Sequence, residues 1–138
     1  MNALEQKIIA LAKEAQKNSY SPYSSFPVGA VVICKDGSYF LGANIENSSY
    51  PLTMCAERNA LYNAYNHGYK KEDFVALALI ANTKDYCAPC GACRQVISEL
   101  FPSDAKILMA RKDGEFKEVT IKELLPFAFS SDDLKDVE

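Results

Sequence analysis

The chain has 138 residues, 49% of them hydrophobic, with 8 Tyr, 7 Phe and no Trp, which fits one globular domain over 1–138 rather than a disordered chain. Its 15 Lys and Arg against 18 Asp and Glu give a net charge of -3 with no basic run, which argues against a surface built to grip DNA or RNA phosphates. No apolar run is long enough for a bilayer span or a signal-peptide core, so a cytoplasmic protein with no membrane partner is expected, its five cysteines reduced rather than paired.

The opening MNALEQKIIALAKEAQKNSY predicts an amphipathic helix with Leu4, Ile8, Leu11, Ala12 and Ala15 on its inner face. Ser21 to Ser25 reads as a loop and Val28 to Cys34 as a strand. Lys35-Asp36-Gly37 then turns the chain into a second strand from Tyr39 to about Glu46. A helix opens at Cys55 and ends near His67-Gly68, with Gly68 as its cap. Phe74 to Ala81 is an uninterrupted apolar run, as in a strand buried on both faces. A further helix spans Gly91 to Leu100, with Ala92, Val96, Ile97 and Leu100 on one side and Pro102 just beyond. Strands over Ala105 to Ala110 and Phe116 to Ile121 flank the turn Lys112-Asp113-Gly114, and the polar tail SSDDLKDVE reads as partly loose. The order α-β-β-α-β-α-β-β predicts an α/β fold, a three-layer α-β-α sandwich whose mixed five-stranded sheet carries helices on both faces.

Two stretches do not read as packing. In TMCAER and YCAPCGACRQ, Cys55 and Cys90 each stand at a helix start, with Cys93 one turn after Cys90. Helix N-termini lower thiol pKa values and favour the thiolates a metal needs, so Cys55, Cys90 and Cys93 predict one Zn²⁺ per chain. Two arrangements stand open: a three-cysteine site with a free fourth position, or a closed site completed by Cys87, either Cys₄ zinc or an iron–sulfur cluster. Glu57 beside the metal and Pro89 before Cys90 favour the first. Three thiolates outweigh Zn²⁺ by one negative charge, and Arg58, one turn from Cys55, can hydrogen-bond sulfur and drain that charge. Arg94 is either a second such donor or a solvated helix residue. Asn44 and Glu46 alternate on a strand and so point to one face, as a pair reading a sugar hydroxyl or as a plain polar strand end. Cys34 reads as a core residue, His67 as a helix-end cap and Cys87 as a spectator near the metal.

C-A-E followed by P-C-x-x-C also matches the zinc deaminase signature in its three-cysteine form. With YSPYSSFPVGA, GANIENSSYP, CAERNA, PCGACRQV and LLPFAFSSDDL, the chain from about Ser19 to Leu134 resembles the small cytidine deaminases that act on free nucleosides. That resemblance implies a cytidine deaminase-like fold and hydrolytic conversion of cytidine and 2′-deoxycytidine to uridine and 2′-deoxyuridine, with zinc-bound water as nucleophile. It implies Glu57 as general base and proton shuttle, Asn44 and Glu46 on the ribose 3′-hydroxyl, Phe26 and Tyr50 lining the pocket, and the Ala56 N–H on the base carbonyl. It further implies a homotetramer in which Phe129 reaches into a neighbour. For single residues other readings stand beside these: Glu57 as a first-turn glutamate favoured by the helix dipole, Phe26 as a core aromatic, Phe129 as part of its own chain's core. Rival functions are deamination of another aminated heterocycle, such as blasticidin S or guanine, and a metal-stapled binding module without activity.

Overall fold

A computed structural model of the chain describes residues 2–135. Helix α1 (Ala3–Gln16) leads into the antiparallel pair β1 (Val28–Cys34) and β2 (Tyr39–Ala43), then α2 (Ala56–Asn66) and β3 (Phe74–Ala81). Helix α3 (Gly91–Leu100), β4 (Lys106–Ala110), β5 (Phe116–Val119) and two short helices, α4 (Ile121–Leu124) and α5 (Ser131–Lys135), complete it. The sheet order is β2-β1-β3-β4-β5. Only β3 and β4 run parallel, so the sheet is mixed as predicted.

Strand periodicity divides the interior. On β1, Ala30, Val32 and Cys34 face α2 and α3 together with Leu77 and Leu79 of β3. Val31 faces α1 with Ala76, Ala78 and Ile80. Both faces of β3 are thereby buried, which is why its sequence is apolar without alternation. The α2/α3 side holds the large side chains, including Phe74 and Phe101, stacked 5.7 Å apart. On each side one glycine lets a helix backbone close in on the sheet. A Cβ on Gly29 would stand 2.1 Å from the Ala12 carbonyl oxygen, and one on Gly42 would stand 2.3 Å from the Ala60 nitrogen. Only glycine lets α1 and α2 settle onto the sheet at those two points. Because α2 rests on β2 through Gly42, its N-terminus is carried to the end of β2, where Asn44 follows.

Several expectations need correction. Leu4 is 63% exposed: the apolar stripe of α1 outruns the sheet and the helix buries Ile8, Ile9, Ala12 and Ala15 instead. Ala92 is exposed, because the inner stripe of α3 is phased on Cys93 and Ile97, four residues apart. The last strand ends at Val119, and Thr120 caps α4 through a reciprocal bond with Glu123. In the tail, 131–135 form α5, while 136–138 lie outside the described residues. Strand β2 ends at Ala43 rather than near Glu46, although Ile45 keeps an antiparallel bridge to Met54 and a parallel one to Tyr20.

Candidate active site

The N-termini of α2 and α3 converge on one point, and each begins with a cysteine. Cys55 and Cys90 are the N-cap residues, both in extended backbone conformation and neither capping its helix with its own side chain. An extended N-cap throws its side chain past the helix end, which frees the thiol from the helical phase of the residues after it. The Sγ atoms of Cys55 and Cys90 are 3.8 Å apart, and all three Sγ atoms of Cys55, Cys90 and Cys93 lie within 4.8 Å of one another. Zn–S bonds of about 2.3 Å in a tetrahedron put neighbouring sulfurs roughly 3.8 Å apart. The three free thiols therefore fit a zinc ion in number, chemistry and spacing. Among the described residues Cys87 falls outside this group, so the closed four-cysteine arrangement finds no support.

The charges around the thiols favour the same use. The Cys55 thiol is drawn down to about 5, first by a hydrogen bond from the Cys93 thiol and then by Arg58. Arg58 Nη2 donates to Cys55 Sγ at 3.4 Å, the contact predicted from the one-turn spacing. Its Nε is buried without a partner among the described residues, so the guanidinium is committed to this negative corner. Cys87 and Cys34 behave oppositely. Burial pushes each thiol up to about 11, helped by Glu57 at Cys87 and by Asp36 at Cys34. Such thiols stay protonated and are poor ligands.

Beside the cysteines lies a cavity of about 320 Å³ walled by Phe26, Val28, Leu79, Ala56 and Cys87, with Glu57, Cys55, Cys90, Asn44 and Glu46 also in its lining. That volume suits a small molecule. Glu57 is 4% exposed, and burial, reinforced by the neighbouring Cys55 thiolate, pushes its carboxyl up to about 7. A buried carboxylate at the wall of a cavity is costly unless it has work to do there. A first-turn glutamate serving the helix dipole would stand in solvent.

Around Asn44 and Glu46, backbone pairing sets the aim. The bonds Tyr20 N–H to Asn44 O, Glu46 N–H to Tyr20 O and the paired Ile45–Met54 bonds hold 44–46 extended beyond β2, so Asn44 and Glu46 keep a common face. Asn44 is already engaged: its Oδ1 accepts from Val28 N–H and the Ser19 hydroxyl, and its Nδ2 donates to the Phe26 carbonyl. One N–H remains for a ligand, so this side chain can only donate. Glu46 accepts from the Ser24 hydroxyl and from the Tyr23 and Ser24 amides, which hold its carboxyl below the usual carboxylate range. It stays ionised and can only accept.

Phe26 lines the cavity and is 44% exposed, so it is not a core aromatic. The residue before it, Ser25, sits at φ 56, an uncommon backbone conformation for a residue with a side chain. Tyr50 is one hollow away, 74% exposed, in a wall it shares with Tyr23, Ser24, Glu46 and Thr53. Phe129 is 58% exposed and is not part of its own chain's core. His67 caps α2 and leans on Phe40, as a helix-end residue should. Arg94 follows neither prediction, since it grips two backbone carbonyls. Ser19, Ser24 and the cavity face of Cys87 were not foreseen. They act through loop contacts that no periodicity announces.

Residues 2–109 match the family model of the cytidine and deoxycytidylate deaminase zinc-binding region. The chain is 50% identical over 131 residues to a cytidine deaminase of Halalkalibacterium halodurans, covering 95% of this chain and 98% of the relative. It is 45% identical to a cytidine deaminase of Sporosarcina psychrophila, covering 94% and 93%. The crystal structure of cytidine deaminase from Burkholderia pseudomallei superposes with a TM-score of 0.88 at 41% identity, covering 94% of this chain and all of that one.

Proposed function

Because the chain belongs to the zinc-dependent cytidine and deoxycytidylate deaminase family, we propose that it hydrolyses cytidine and 2′-deoxycytidine to the corresponding uridines and ammonia. One observation carries this reading. A buried carboxyl, Glu57, lines the same small cavity as Cys55 and Cys90 of the three-thiol cluster and as the polar pair Asn44 and Glu46.

Cys55, Cys90 and Cys93 would hold the zinc. When bound, the ion supplies Lewis acidity that makes a water nucleophilic near neutral pH. Glu57 takes the proton from the attacking water and gives it to N3 of the pyrimidine. It then carries the second proton to the exocyclic amine, which leaves from C4 as ammonia. Arg58 offsets the excess negative charge of the thiolates through Cys55. The first-turn N–H of Ala56, at the positive end of α2 where no side chain caps the helix, receives the base carbonyl. Phe26 covers the base. Asn44 donates to the sugar 3′-hydroxyl and Glu46 accepts from it, a division set by the bonds each already makes. Ammonia release from cytidine by zinc-loaded protein tests the whole; zinc-loaded, folded protein that releases none supports the binding-module alternative.

Glu46 also decides between nucleoside and nucleotide. An ionised carboxylate at the sugar end repels a 5′-phosphate, and a phosphate site needs a paired cation or a cluster of free backbone donors. Among the described residues, none of those lining the cavity is a lysine or arginine. We expect kcat/KM for cytidine to exceed that for its 5′-monophosphate by at least about 100-fold, and Glu46→Ala to weaken cytidine by a comparable factor while leaving zinc in place. Equal kcat/KM for the two substrates refutes the assignment of the sugar end.

The working form is a homotetramer in which Phe129 of one copy closes a neighbour's cavity. The reading is supported by the resemblance and by the exposure of Tyr50, Leu52, Phe127 and Phe129, at 74%, 68%, 106% and 58%, since so many bare aromatic and aliphatic side chains suit an interface. Light scattering should give four chains per particle, and a fully active monomer rejects it. No helix among the described residues is long and apolar enough to cross a membrane.

A further inference from the structure

The three ligand cysteines are not supported alike. Cys93 is fully buried at the third position of α3 and is fixed by core packing. Cys55 is half-buried and receives Arg58 on its sulfur. Cys90 is exposed, does not cap its helix with its side chain, and has only the Cys55 thiol at 3.8 Å against its sulfur, so its position is set through its backbone. The group that reaches that backbone is Arg94. Its Nε donates to the carbonyl of Pro89 at 2.8 Å and its Nη1 to the carbonyl of Leu124 at 2.9 Å. The Pro89 carbonyl belongs to the peptide unit that delivers Cys90. Pro89 itself is fully buried, so the loop is clamped by the proline ring inside and the guanidinium beside it. The Leu124 carbonyl is the last of α4, one of the acceptors a helix end leaves open. Arg94 makes no ion pair among the described residues, so its charge is spent on these two carbonyls. The next residue adds a second tie: Gln95 Nε2 donates to the Phe129 carbonyl at 3.0 Å.

We propose that Arg94 is the positioning residue for Cys90, holding the ligand's peptide against the end of α4, so that the zinc-binding loop and the C-terminal segment form one fastened unit. It acts on the metal only through Cys90, as Arg58 acts through Cys55. A planar guanidinium can serve two carbonyls at once in a fixed geometry, whereas a lysine ammonium is a point donor and a glutamine is too short to span both. The proposal rests on the three-cysteine zinc site and is tested by metal release rather than by turnover.

Purified zinc-loaded protein, parent and variants, is mixed with excess chromogenic chelator and the release of zinc is timed. Partners that orient a metal ligand are worth about 10- to 100-fold in metal affinity. Arg94→Gln is expected to release zinc at least about 10-fold faster, with Arg94→Lys between it and the parent. Gln95→Ala, which cuts only the tie to Phe129, should release at the parent rate. With Co²⁺ in place of zinc, the thiolate-to-metal absorption bands of Arg94→Gln should shift from the parent's, a change that mere global destabilisation does not produce in folded protein. Methylguanidinium added to Arg94→Ala should slow its release. Should Arg94→Gln not fold, Arg94→Lys carries the test through the same rate and spectrum. Release at the parent rate with unchanged cobalt bands overturns the proposal, and so does equal acceleration by Gln95→Ala. A parent chain that holds no metal is a separate result: it overturns the zinc site itself.

Discussion

A Glu57→Gln chain is expected to bind zinc and cytidine like the parent and to deaminate it slower by a factor of 10²–10⁴ or more, the range of a positioned acid–base group. Glutamine has nearly the shape of glutamate, so the buried site at the start of α2 is not emptied, and the thiols of Cys55, Cys90 and Cys93 are untouched. Only the ability to take and return a proton is removed. Glu57 suits that duty because burial, with the Cys55 thiolate beside it, lifts its carboxyl to about 7. A group poised there can be a base towards water and an acid towards the pyrimidine within one turnover. The measurement pairs zinc content and nucleoside affinity with kcat for parent and variant. A variant with near-parent kcat removes Glu57 from the chemistry. A variant without zinc would mean instead that the carboxyl serves the metal.

The sequence carried the metal site well because that site is a local feature repeated twice. Cys55 and Cys90 each read as the first residue of a helix, and a helix start is among the clearest signals a sequence holds. Two helices packed on one sheet face then bring those starts together. Arg58 was legible for the same reason, one turn from Cys55. The central strand could be read from Phe74 to Ala81 without error because burial on both faces removes every polar interruption. What could not be read depends on tertiary backbone contacts. Arg94 spends its charge on the carbonyls of Pro89 and Leu124, and nothing in CRQ distinguishes that from a solvated arginine. Asn44 and Glu46 were assigned to a strand that ends before them. They share a face because Tyr20 and Met54 pin Ile45 between them, a pairing made across two loops. Ala92 lies one helical step off the buried stripe of α3, which is phased on Cys93 and Ile97, so the ligand cysteine is itself a core residue.

Cys93→Ser should lose zinc and much of the chain's stability together. Cys93 is fully buried among the residues that join α2, α3 and the sheet, so the exchange places a hydroxyl in an apolar setting and withdraws one of three thiolates. An alcohol is a far poorer zinc ligand than a thiolate, and two cysteines do not hold the ion against competition. Zinc bound only by the folded chain stabilises it by linkage, and structural zinc sites in small peptides are worth on the order of 10 kcal/mol. Here the sheet has a core of its own, so only part of that is expected to appear: several kcal/mol, or a fall of about 10 °C or more in Tm for a chain of this size. Chelating the parent's zinc should lower its Tm by most of the same amount, which separates lost metal from the direct insult to packing. Cys87→Ser is the control. Its thiol stands apart from the cluster and is kept protonated by burial, so that variant should retain one zinc per chain and nearly the parent's Tm. Zinc analysis and thermal unfolding of the three proteins decide the matter. Stoichiometric zinc in Cys93→Ser would sink the ligand assignment, and equal loss from Cys87→Ser would restore the closed four-cysteine site, which leaves no position for chemistry.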